Sequence, residues 1–227
     1  MTPFRHLLRS MPLLTLLLAT PAPAASPDSR TTIDLAAEAS RPATNDLARA
    51  TVFAEATGVT PSDLSRRING LISDGLRTAR SYSSIKTQSG ATHSYPVYGK
   101  GGKIENWRMR SELTLESSDT GALSELLGKL QASMGIASLA MLPAPETRRK
   151  AESEAMLDAL AAFRARAKII AEALGKAYRI RHLSINSSGR PPVVPIMRAA
   201  ALASADAAPM PIEGGDTQIS ANISGQI

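Results

Sequence analysis

Along this chain, stretches with a two-residue hydrophobic period alternate with stretches whose period lies between three and four. Residues 31–39 (TTIDLAAEA) and 46–56 (DLARATVFAEA) predict two strands, the second placing Ala48, Ala50, Val52 and Ala54 on one face. Side chains that small let another element approach closely. Thr60-Pro61-Ser62-Asp63 then supplies an N-cap residue, a proline at the first helical position and an early acid. Leu64, Ile68, Leu71 and Ile72 follow at helical spacing and predict an amphipathic helix to about Ala79.

A long hairpin is expected over residues 82–116, turning at Gly99-Lys100-Gly101-Gly102. Its second arm carries the clearest alternation in the chain. Trp107, Met109, Leu113 and Leu115 fall on one side, and Arg108, Arg110, Glu112, Thr114 and Glu116 on the other. One face is therefore core and the other wet. Asp119 caps a short helix with Leu123, Leu126, Leu127 and Leu130 as its buried stripe, and residues 135–142 (GIASLAML) predict an apolar strand ended by Pro143 and Pro145.

From Glu146 to Leu174 the residues Met156, Leu160, Phe163, Ala167, Ile170 and Leu174 recur at spacings of four and three. That is the seam of one long amphipathic helix, closed by Gly175 and leading into a strand over residues 179–186. Arg164, Arg166 and Lys168 fall outside the seam. They are interspersed with Glu152, Glu154, Asp158 and Glu172, with no aromatic residues ready to stack on bases, so this run predicts no nucleic-acid interface.

The N-terminus changes the picture of where the protein works. Arg5 and Arg9 precede the apolar run of residues 11–19 (MPLLTLLLA), and Ala22-Pro23-Ala24 offers small residues at the positions a signal peptidase reads. The run is shorter than the roughly 20 apolar residues of a transmembrane helix. The expectation is a signal peptide over residues 1–24, cleavage after Ala24, and a periplasmic or secreted domain over residues 25–227 without a transmembrane helix. Its loss takes away two arginines and no acid, lowering the net charge from +6 to +4. Basicity of that size concerns solubility more than ligands.

With 43% hydrophobic residues the chain has ample material for a core, and with no cysteine an exported form must hold together by packing alone. The missing cysteine also excludes thiol nucleophiles, redox thiols and zinc thiolates. Beyond the leader there are two histidines, His93 in the hairpin and His182 in a strand, neither with a carboxylate pattern nearby. No serine-hydrolase elbow, P-loop or calcium loop is present. Gly99, Gly101 and Gly102 fit a hairpin turn, since no helix N-terminus follows to receive a phosphate. The residues thus assign no catalytic, cofactor-binding or metal-binding position.

One segment stands apart. Residues 189–215 form a Pro, Ala and Met-rich connection between two strands, longer than the roughly 12 to 15 residues usual for a structureless loop. Its apolar cluster Val193, Val194, Ile196 and Met197 is a candidate interaction site, either against the parent core or against a second subunit or envelope partner.

The run AFRARAKIIAEALGKAYRIRHLSI resembles the signature of the SIMPL-domain proteins, in which a long alanine-rich helix with an A-R-A-K-A-E-A-L-like ending passes directly into a strand. The tail PPVVPIMRAAALASADAAPMPIEGGDTQISANISGQI is similar to that family's Pro/Met/Ala-rich loop, P-x-E-x-G step and closing S-A-x-I strand. The resemblance implies a periplasmic or envelope-associated protein, with a role in oxidative-stress defence and ring-like assembly. It brings no catalytic residues with it.

Taken together, the expectation is an α+β fold, with mainly antiparallel strands packed by two shorter helices and one long amphipathic helix. The expected function is that of a non-enzymatic, exported envelope protein acting as a homo-oligomer or through an envelope partner, without cofactor. The alternative is a cofactor-free enzyme or a small-ligand-binding periplasmic protein, for which a deep pocket joining His93 or His182 to carboxylates would be the mark.

Overall fold

The computed structural model of the chain describes residues 31–187 and 214–227. Its elements run β1 (Asp34–Thr44), β2 (Leu47–Gly58), α1 (Pro61–Ala79), β3 (Lys86–Tyr98), β4 (Ile104–Ser117), α2 (Thr120–Leu130), β5 (Gly135–Leu142), α3 (Pro145–Ala173), β6 (His182–Ser187) and β7 (Asp216–Gln226). The fold is α+β with wholly antiparallel pairing, and α3 is much the longest helix.

The strands form two sheets, ordered β1-β7-β6 and β3-β4-β2-β5, so that β1 and β2 continue from one sheet into the other through Asn45 and Asp46. Each sheet buries its own core. On the four-stranded sheet, Ala48, Ala50, Val52 and Ala54 of β2 and Met109, Leu113 and Leu115 of β4 face α1 and α2. The small β2 residues allow the close helix approach that their pattern suggests. On the three-stranded sheet, Ala37 of β1 and Ala221 and Ile223 of β7 pack against α3.

The helices begin and end for local reasons. Pro61 takes the first position of α1, where its missing N–H costs nothing, and Asp119 accepts from the Ala122 N–H at 2.9 Å to cap α2. Thr60 stands at the N-cap of α1 in extended conformation, yet its side chain makes no capping bond. Gly175, at φ +61°, lets the chain leave α3 with the Gly175 N–H on Glu172 O and the Lys176 N–H on Ala171 O. This is a Schellman closure, and it satisfies the last carbonyls of the helix.

Three expectations need correction. The α3 seam keeps Phe163 and Ala167 but not the rest of the expected alternation: its buried line is Ala151, Ala155, Ala159, Phe163 and Ala167, while Met156 and Leu160 are half-buried flanks and Leu174 is 52% exposed. A helix lying close on the alanines of β1 and β7 has room for methyl groups beneath it and places its longer side chains at the margins. Strand β1 ends at Thr44, well past Ala39, because as the outer strand of its sheet it tolerates Pro42. Strand β6 begins at His182 instead of Arg179, because its partner β7 ends at Gln226, opposite His182.

Candidate interaction surfaces

The β3–β4 hairpin follows from the strict alternation of β4 and from the turn that closes it. The Gly99 N–H bonds Lys103 O at 2.9 Å, and Gly101 and Gly102 sit at φ +95° and +75°, which only glycine adopts without strain. Over most of β3 both faces are exposed, because α1 and α2 reach only the part of the sheet nearer β2. Pairing of Gly58 with Trp107, Tyr95 with Arg108 and Tyr98 with Ile104 collects four exposed apolar side chains at this end of the sheet: Val59, Tyr95, Tyr98 and Ile104. Val59 is 74% and Tyr98 61% exposed, and alternation along β3 puts Tyr95 and Tyr98 on opposite faces of the sheet.

None of those four is a residue that pattern reading singled out. The hairpin's outer strand lacks the alternation that marks β4, so its sequence gave no sign of which side chains would be left uncovered. The nearest signal was the bare occurrence of two tyrosines close to a glycine turn.

The face of this sheet turned away from α1 and α2 is polar and largely satisfied within itself. Arg110 lies 3.7 Å from the Phe53 ring centroid and pairs with Glu112 at 2.9 Å, and Arg49 binds Glu116 at 2.7 Å. Phe53 in turn leans across Gly135, the residue opposite it on β5, filling the space a side chain there would take. On the same face the His93 ring stacks on Tyr95 with centroids 5.9 Å apart, and His93 stands opposite Arg110.

His93 and His182 therefore lie on different sheets, both exposed and not brought together. Among the described residues no three His, Asp or Glu side chains gather as a metal-binding group, and no helix is long and apolar enough to cross a membrane. The most perturbed carboxylates serve structural contacts. The Thr147 hydroxyl and the Ala144 N–H hold Asp46 below the usual carboxylate range, and Arg41, bonded at 2.5 Å, does the same for Asp158. Lys129 and Tyr82 lower Glu125, at 2.8 Å each, joining the exit of α1 to α2.

A second uncovered region lies at the far end of α3. Lys168, Ala171 and Glu172 of the helix and Gly175, Lys176, Ala177 and Tyr178 beyond it line an open cleft of about 530 Å³. Arg164 and Lys168 are exposed, as their place outside the seam suggests, whereas the Arg166 guanidinium, also exposed, donates to the Ala36 carbonyl of β1. The candidate cluster Val193, Val194, Ile196 and Met197 lies outside the described residues, as does the signal-like segment of residues 1–24.

Residues 33–227 match the model of a family described as SIMPL, protein of unknown function (DUF541). No curated protein matches the chain.

Proposed function

The chain belongs to the SIMPL family, and on that premise we propose that it is exported to the cell envelope and acts there by self-assembly or by binding a partner, without catalysis. The observation that carries this reading is the uncovered end of the four-stranded sheet, where Tyr95, Tyr98 and Ile104 of the β3–β4 hairpin and Val59, just past β2, are each exposed to solvent. Exposing apolar groups of that size to water costs free energy, and covering them with a second surface recovers roughly 25 cal/mol per Å² of apolar area removed. A projecting arm with both faces exposed is well placed to reach a neighbouring subunit.

Export rests on the order of residues 1–24: charge, apolar run, small residues. Protection against oxidative stress is what the family resemblance implies. The cluster Val193, Val194, Ile196 and Met197 is a second contact that assembly would use.

The mass of the purified protein in solution tests the assembly reading, and N-terminal sequencing of material from the envelope fraction tests export. An oligomer and a chain starting at Ala25 are expected. A monomer at the tens of micromolar typical of in-vitro work, binding no envelope protein, would overturn the first, and intact Met1 in the cytoplasm the second.

A further inference from the structure

The stretch from Arg164 to Arg181 holds six cationic side chains, Arg164, Arg166, Lys168, Lys176, Arg179 and Arg181, against one carboxylate, Glu172. Beside them stand Ile169, Leu174, Tyr178 and Ile180, all exposed, with Ile169 64% so. The chain leaving α3 turns back along the helix, so that Lys168, Lys176 and Tyr178 line one cleft. The fold therefore sets cations and large apolar groups side by side at one end of its longest helix. We infer that this end of the molecule docks on an anionic lipid surface, with the cations at the headgroups and Ile169, Leu174, Tyr178 and Ile180 at the acyl boundary.

Local contacts account for only part of the charge: Lys168 lies 3.7 Å from Glu172 one turn on, and Arg166 donates to the Ala36 carbonyl. The last turn of α3 contains no basic residue, and its terminal carbonyls are already met by the Leu174, Gly175 and Lys176 N–H groups. Nor does a two-fold contact with a second copy fit this surface, since it sets each patch against its own like. Two patches each with six cations and one carboxylate would repel. A nucleic-acid phosphate chain matches the charge but leaves three aliphatic side chains without a role, and only Tyr178 is an aromatic platform. Interfacial binding uses both halves of the patch. Apolar groups enter the headgroup boundary while lysines and arginines answer anionic lipid.

The test is flotation of the purified full chain with vesicles of phosphatidylcholine alone and of phosphatidylcholine with a third phosphatidylglycerol, at low and high salt. Three proteins are compared: wild type, a cation variant (Lys168→Gln, Lys176→Gln, Arg179→Gln) and an apolar variant (Ile169→Ser, Leu174→Ser, Ile180→Ser). All substituted side chains are exposed, and circular dichroism confirms the fold of each. Wild type is expected to float with the anionic vesicles only, and high salt to release it. Each lost cation weakens binding by about fivefold, and the apolar variant loses most of the remainder. No binding by wild type overturns the inference. So does equal binding by all three proteins, which would place the contact elsewhere, for example in the apolar run of residues 11–19 that they share. Loss in the cation variant alone, with matching behaviour toward a single-stranded oligonucleotide, also overturns it and makes the patch a polyanion site.

Discussion

The carboxylate of Asp46, in the two-residue joint between β1 and β2, accepts the hydroxyl proton of Thr147 across 2.5 Å and the N–H of Ala144 across 2.6 Å. Ala144 is the N-cap residue of α3 and has no side chain with which to cap it, so a residue some hundred positions earlier does the work. The joint where the chain passes between the two sheets is thereby tied to the start of the long helix.

Loss of this tie is expected to cost about 1 kcal/mol, as for other helix caps, when Asp46 becomes Ala. The pH dependence follows from the depressed pKa of Asp46, caused first by the Thr147 hydroxyl and then by the Ala144 N–H. A carboxyl that ionises more readily folded than unfolded stabilises the protein above its unfolded pKa, and that contribution fades as pH falls through the folded value. Urea midpoints of wild type and Asp46→Asn should differ at neutral pH and converge below the ordinary carboxylate range. A gap that widens in acid would show that Asp46 does not act through its charge.

The α3 packing makes a sharper claim. Ala159 is wholly buried against the three-stranded sheet, so Ala159→Leu must push the helix outward, at about 1–3 kcal/mol. Phe163→Asp places an unpaired charge in the same core and should leave no folded protein. Arg166→Glu gives up only an exposed bond to the Ala36 carbonyl and should cost about 1 kcal/mol at most. Thermal melts rank the three, and a melt of Ala159→Leu at the wild-type temperature would refute the close approach.

What pattern reading recovered and what it missed divide along the same physical line. Where one face of an element is core and the other is water, as in β4, α1 and α2, polarity alternates along the chain and both the type and the buried residues are legible. Pairing leaves no such trace. Nothing in residues 179–181 says that β7 ends opposite His182, and nothing in Ser40-Arg41-Pro42 says that β1 lies at a sheet edge and can run on. Alanine is the other blind spot: it scores as a weak hydrophobe, so Ala151, Ala155 and Ala159 yield to the larger Met156 and Leu160 in a reading by side-chain size, while Phe163 and Ala167 belong to both lines. The uncovered hairpin end was hidden for a related reason, since exposure of Tyr98 depends on where α1 and α2 stop. That is a matter of tertiary reach.

Gly225 shows a close approach that no local signal marks. A Cβ added there would overlap the His182 carbonyl oxygen of the neighbouring strand and come within 3.2 Å of the Phe163 ring. Because the first obstacle is backbone, relief requires β6 to move, and Gly225→Ala should cost about 3 kcal/mol or more. Gly70 is the control: in the interior of α1 with nothing within 4 Å of its added Cβ, Gly70→Ala should stabilise by about 1 kcal/mol. Opposite shifts in unfolding midpoint are the expected result, and like shifts would discredit the packing at Gly225.

Assembly through the hairpin end is open to a test that separates it from folding. Val59 and Tyr98 are the two most exposed large apolar residues at that end of the sheet, and neither contributes to the described cores. Val59→Ser with Tyr98→Ser should therefore leave helix and strand content unchanged in circular dichroism while lowering the mass measured by light scattering. Serine keeps the chain soluble and adds no charge, so a smaller mass reports lost apolar contact instead of new repulsion. The deletion of residues 193–197 is measured beside it. If the double variant dissociates and the deletion does not, the contact is the hairpin end, formed by Val59, Tyr95, Tyr98 and Ile104. If both dissociate, both segments belong to the contact, and a head-to-tail contact between them gives a ring where its rotation closes and an open filament where it does not. If the double variant keeps the wild-type mass, the hairpin end is not the interface, and its exposed tyrosines need a different partner.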